Sequence, residues 1–209
     1  MSGIQWRTAI DETSLDAAPS AFAPEELPAA EVDLAAAAAL RLGWHGSVLA
    51  PMTLLGRHII AVAELNTATH AERLSQRAEP ALDRAEVATW LWPEFADSAP
   101  APAVELVGVL GVARHWRTAL ASAAPFANYC DVGIVLPWSA AMTSDYLVQC
   151  LPRAQRFGVS VLTADPDGQV NLDQCGRQEP NCVPESVINR WINEQVYHHM
   201  LGSMAELVG

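Results

Sequence analysis

Lysine is absent from this chain: all 12 basic side chains among its 209 residues are arginine. That excludes lysine general bases, Schiff-base lysines, phosphate-loop lysines and every nuclease motif that ends in lysine. Cysteine is sparse, with Cys130, Cys150, Cys175 and Cys182 and no C-x-x-C pair. Cys175 and Cys182 stand in a polar stretch at a spacing too loose for the usual zinc pairs, so neither a disulfide nor a metal is assigned there. The start of the chain lacks the basic residues and apolar run of a secretory signal. Four unclustered thiols then fit a reducing cytoplasm. Apolar runs reach only about ten residues, too short to span a bilayer. Glycine-rich phosphate loops are missing as well, because Gly108 and Gly111 are not followed by a third glycine at the fingerprint spacing. Ser139, Ser144 and Ser160 lack the glycine-framed turn of a hydrolase nucleophile.

What is present suffices for one core, with 51% hydrophobic and 17% charged residues. The 24 acidic side chains leave a net charge of −12, which repels phosphate backbones and disfavours direct nucleic-acid binding. Arg73, Arg77 and Arg84 are the densest basic group, but Glu72, Glu79, Asp83 and Glu86 interleave them. That mixture reads as a solvated charged face. Acids crowd the start, where Asp11, Glu12, Asp16, Glu25, Glu26, Glu31 and Asp33 meet the single Arg7.

Residues 1–29, rich in Ala, Pro, Ser and acid, read as a mobile arm in which Trp6 and Phe22 either tuck onto the domain or anchor a partner. From there the pattern predicts a domain over 30–172. A helix runs from Glu31 to Leu42 and stops at Gly43. Val48–Leu55 and His58–Leu65 read as a hairpin joined at Gly56-Arg57. Thr67–Gln76 fits a short helix or a loop. Arg84–Trp92 alternates in a strand-like way up to Pro93, with Trp90 and Trp92 on one face carrying a helix. Val104–Val112 reads as a central strand with Glu105 as its one charge, and Gly108 and Gly111 as points of close packing. A helix over 114–126, a strand over 131–136 and a helix over 144–157 interrupted by Pro152 follow. Val159–Thr163 is a further strand, Asp165–Gly168 a turn, and Gln169–Leu172 an edge strand. Residues 173–209 form a loop and a last helix opened by Pro184, with Val187, Ile188, Trp191, Ile192, Gln195, Val196 and His199 as its stripe. His198 and His199 fall near its end, where protonated histidine is favoured. The whole predicts an α/β fold, a mixed central β-sheet flanked by helices.

Arg84-Ala-Glu-Val-Ala, Val104-Glu105-Leu-Val107, His115–Leu120, Asp131–Pro137 and Val159–Val170 together resemble the PD-(D/E)XK nuclease-like superfamily, over roughly residues 30–172. The resemblance implies a restriction-endonuclease-like sheet. It places Glu86 and Glu105 at the two metal-binding acids, on adjacent strands. Val107 then falls at the lysine position, and Ser122 near the place of a helical glutamine. Valine neither stabilises developing charge nor positions a water.

The resemblance therefore implies a pseudoenzyme: a non-catalytic, lysine-free, acidic protein that binds a protein partner or its own copies within an assembly, with no cofactor. One alternative is a divalent-metal nuclease or phosphodiesterase, with Glu86 and Glu105 holding Mg²⁺ and Arg84 or Arg114 in the role of the lysine. Another is an acidic decoy that blocks a nucleic-acid-binding partner. A buried Glu105 would need pairing, by Arg84, Arg114 or a backbone donor, or hydration or protonation. His115, at a strand-to-helix junction, reads as a cap or surface residue.

Overall fold

The computed structural model describes residues 26–95, 99–177 and 186–208. The expected arm up to residue 25, Cys182 and the helix opening at Pro184 lie outside the described residues. Helix α1 (Glu31–Leu42) carries acids in its first turn and ends at Gly43, whose φ of 71° suits a residue without Cβ. Its alanine run buries Ala35, Ala38 and Ala39, small enough for close approach to a sheet. Strands β1 (Ser47–Val48) and β2 (Met52–Leu54) both pair antiparallel with β3 (Arg57–Leu65). The β2–β3 hairpin turns at Leu55-Gly56, both at positive φ (50° and 69°), the conformation that a two-residue turn between twisted strands requires.

Helix α2 (Thr67–Gln76) starts at Asn66, whose side chain accepts from the Thr69 amide. Helix α3 (Arg84–Thr89) starts at Asp83, which accepts from the Ala85 amide. The expected strand over Arg84–Trp92 is therefore wrong. The alternation came from alanine, which is neutral to either period, and only Val87 of α3 is buried. Trp90 lies under the Arg190 guanidinium, and Trp92 is mostly exposed against Phe95.

Strand β4 (Val104–Val112) is followed by α4 (Trp116–Ala123), β5 (Asp131–Pro137), the short α5 (Trp138–Ala141), α6 (Leu151–Phe157) and β6 (Ser160–Ala164). Edge strand β7 (Val170–Gln174) returns beside β6 after the turn closed by the Gly168 amide on the Asp165 carbonyl. The sheet runs β1-β3-β4-β5-β6-β7, with β2 also on β3. β4, β5 and β6 are mutually parallel, and β3 and β7 are antiparallel to their neighbours. This is a mixed α/β sheet flanked by helices, as predicted.

One face of the sheet packs Ile59, Ala61, Val109, Ile134 and Val161 against α4, α6 and α7 (Val187–Val208). The other packs Ile60, Val62, Leu110, Val135 and Leu162 under α1. The two strand glycines do act as contact points. A Cβ at Gly108 would come within 2.4 Å of the Trp44 ring, and one at Gly111 within 2.4 Å of the Ala119 carbonyl oxygen.

α7 is tied down by charge. Arg73, 2% exposed, makes two hydrogen bonds to Glu194, 1% exposed, at 2.9 and 2.8 Å. Glu194 also accepts from the Ala81 amide at 3.1 Å and lies 3.6 Å from Arg190. Arg190 in turn donates to the Pro100 carbonyl. The Arg73 guanidinium sits over the Tyr197 ring, whose hydroxyl meets His70 Nδ1 at 2.9 Å. The reading of Arg73, Arg77 and Arg84 as one solvated face is thus corrected: Arg73 is in the core, and Arg84 lies over Trp191. His198 and His199 are also not terminal, because α7 continues to Val208; His199 reaches the Ala50 carbonyl at 3.1 Å. Removing one partner of a buried pair strands the other charge. Arg73→Met is expected to lower unfolding free energy by about 3–5 kcal/mol in urea melts. Arg73→Met/Glu194→Met should recover part of that loss.

Candidate functional site

Glu86 is exposed on α3, outside the sheet, so it is not on a strand beside Glu105 as the sequence suggested. Glu105 is itself exposed, which removes the need for a buried counter-charge. Arg84 is occupied with Trp191, Arg114 lies 3.9 Å from Glu26, and Glu105 makes no ion pair among the described residues. Directly across the ladder from Glu105 stands Glu64, at the end of β3. Two carboxylates in opposed positions of an antiparallel pair repel one another. They line an open cleft at this end of the sheet with Asn66, Thr69, Asn189 and Asn193. The Asn193 Oδ1 is buried with no hydrogen-bond partner among the described residues. Such oxygen donors suit a hard divalent cation, although no group of three His, Cys, Asp or Glu is placed for a metal among the described residues. Val107 packs partly buried against the core under α1. Ser122 lines a separate cleft with His58, His115, Arg114 and Thr118, where His115 is the N-cap of α4 without a capping side-chain bond.

The C-terminal ends of the parallel strands carry a second group. In open α/β sheets this is the end where loops gather ligands. A continuous helical stretch over 144–157 holds a π-turn at Tyr146–Cys150 and then α6, with Pro152 in its first turn. Pro152, which has no amide hydrogen to donate, follows directly on the wide turn and does not interrupt the stretch as expected. Asp145 accepts from the Trp116 indole at 2.7 Å and from Arg117 at 3.1 Å. The Trp116 ring has the Arg117 guanidinium 4.5 Å and the Arg153 guanidinium 5.4 Å from its centre. Next to it, the Tyr146 hydroxyl donates to Asp173, as does Thr163 at 3.1 Å. Asp173 sits where the β6–β7 register shifts, so an irregularity in the edge strand aims it at Tyr146.

These contacts set the protonation states. The indole hydrogen bond first, and then Arg117, hold the Asp145 carboxyl below its ordinary range. Burial first, and then Asp173, push the Tyr146 hydroxyl up, so it stays protonated and donates. Burial also pushes the Cys150 thiol up to about 12, and Cys130 is raised by burial too. Both are inert cores rather than nucleophiles. Cys175 is exposed. At the opposite end of the sheet, Asp131 is raised by desolvation, partly offset by Arg177.

On residues 138–148, the stretch that carries Asp145 and Tyr146, large apolar side chains face solvent: Trp138 is 46% exposed, Met142 62%, Leu147 63% and Val148 66%. Sequence reading did not single out Asp145, Tyr146 or Asp173, and a π-turn has no signature in hydrophobic spacing. Arg190, Glu194 and Tyr197, four and three residues apart on α7, were legible as one polar stripe only by their spacing.

Comparison with family models, with curated proteins and with solved structures finds no match. The local chemistry at Asp145 can be tested directly. Its folded pKa lies below the unfolded one, so its contribution to stability is present above about pH 4 and is lost as pH falls through the folded value. Asp145→Asn should therefore flatten the acid limb: between about pH 5 and pH 2 the variant loses less stability than the parent protein in urea melts.

Proposed function

We propose that this chain is a non-catalytic binding subunit, built on a nuclease-like α/β scaffold, that docks to another protein. The observation that carries this reading is the exposed apolar group of Trp138, Met142, Leu147 and Val148 on 138–148. Single exposed apolar residues are ordinary, but several on one continuous stretch mark a surface that a partner covers. Tryptophan and its apolar neighbours supply large contact area at little entropic cost. The valine at position 107 supports the same reading, since the second acid then lacks a cationic neighbour on its own strand.

A second reading is supported by the opposition of Glu64 and Glu105 beside the unpartnered Asn193 oxygen. In it, a divalent cation such as Mg²⁺ relieves the repulsion and serves metal-assisted phosphodiester hydrolysis. Glu64 would take the place that the sequence assigned to Glu86.

The two readings separate in one set of measurements. Affinity capture with the full chain, from the cells that make it, should recover a stoichiometric partner. Leu147→Gln/Val148→Gln should lose at least about tenfold of that recovery, about 1.4 kcal/mol of binding, with an unchanged melting temperature. Equal recovery by the variant, or no partner at all, overturns the binding reading. A rise in melting temperature with Mg²⁺ or Mn²⁺ that Glu105→Gln removes favours the second reading instead.

A further inference from the structure

We propose that the cleft beside Glu64 and Glu105 binds a small linear diamine or a longer polyamine. The proposal is independent of the surface on 138–148, and it gives this cleft an organic cation in place of the metal ion of the second reading. One ammonium group would bridge the two carboxylates, the alkyl chain would lie along Leu65 and Val104, and the far ammonium would donate to Asn193.

Size, charge and shape each point that way. The cleft encloses about 600 Å³, within the range of small-molecule sites and far more than one ion fills. Its lining holds two carboxylates and no cationic side chain. Neither Glu64 nor Glu105 makes an ion pair among the described residues. The register sets them directly opposite each other, close enough for one ammonium to meet both. The chain has no lysine, so neither it nor a second copy supplies a side-chain ammonium, and its net charge of −12 draws cations from solution. Strand side chains alternate, so the next pair, Leu65 and Val104, turns to the other face, where Val104 shares a core with Ile192 and Val196 of α7. Asn193 joins the cleft from that helix. The cleft thus wraps round the end of the sheet, from the carboxylates on one side to Asn193 on the other. The Asn193 Oδ1 is buried with no hydrogen-bond partner among the described residues, an acceptor in want of a donor. A flexible chain with N–H donors at both ends answers both needs, and its methylene groups match the apolar floor between them. A bare divalent ion has no such reach, and no group of three His, Cys, Asp or Glu is placed for one among the described residues.

The test is calorimetric titration of the full chain, at about 50 mM NaCl, with diaminobutane, butylamine and magnesium chloride. Diaminobutane should bind one to one and at least about tenfold more tightly than butylamine. Glu64→Gln and Glu105→Gln, both at exposed positions, should each weaken diaminobutane at least about tenfold without lowering the melting temperature. Asn193→Ala should bring the affinity for diaminobutane close to that for butylamine. Diaminobutane should also raise the melting temperature of the parent protein but not that of Glu105→Gln. Equal affinity for the two amines overturns the inference, since a single ammonium, as on the lysine of another protein, then suffices. So does the absence of binding, or binding that both glutamine variants leave unchanged, which marks a diffuse cloud of counter-ions. Displacement of diaminobutane by equimolar Mg²⁺ overturns it in favour of the metal reading. Partner capture through Leu147 and Val148 is untouched by any of these outcomes and tests the binding reading separately.

Discussion

The buried pair of Arg73 and Glu194 organises one side of the molecule. Neither charge tolerates burial alone, so α2 and α7 come together or not at all. The same carboxylate holds the amide of Ala81, which fixes the chain just before α3, and Arg190 extends the contact to the carbonyl of Pro100. Four separate segments thus converge on one ion pair. Hydrophobic packing brings α7 to the sheet through Ile192, Val196 and Met200, but a helix can slide on an apolar face. Two hydrogen bonds with fixed geometry select a single seat.

The sheet itself follows from ordinary rules. β4, β5 and β6 are nearly wholly apolar because helices cover them on one face and α1 on the other. Glycine at 108 and 111 allows the tryptophan ring and the α4 backbone to come close. Both ends of the sheet are then free to carry polar groups, and they do so differently. One end opposes Glu64 and Glu105, and the other arranges Asp145 and Asp173 around Trp116 and Tyr146.

Much of this was legible in the sequence, for reasons that residues make plain. The central strand at Val104–Val112 and the stops at Gly43 and Gly158 follow from local chemistry, and the expected hairpin is there with its turn one residue earlier, at Leu55-Gly56 rather than Gly56-Arg57. The stretch after Asp83 was not legible as a helix. Alanine, threonine and valine at alternate positions imitate a strand, and the capping role of Asp83 decides the matter only once a helix is suspected. That error placed Glu86 in the sheet and hid Glu64, whose partnership with Glu105 depends on antiparallel register rather than on spacing along the chain. Arg73 looked solvated because its neighbours in sequence are charged, while the residue that buries it is 121 positions away.

The π-turn at Tyr146–Cys150 has a consequence for how this protein can diverge. A wide turn accommodates one residue more than an α-helical turn of the same height. Loss of a single codon between Asp145 and Leu151 would let the helix close regularly while both of its ends kept their seats. Side chains on either side of the deletion would keep their directions, and only those inside the turn would be redistributed. One small genetic step could therefore retire or recreate the outward-facing leucine and valine without rebuilding the fold beneath them.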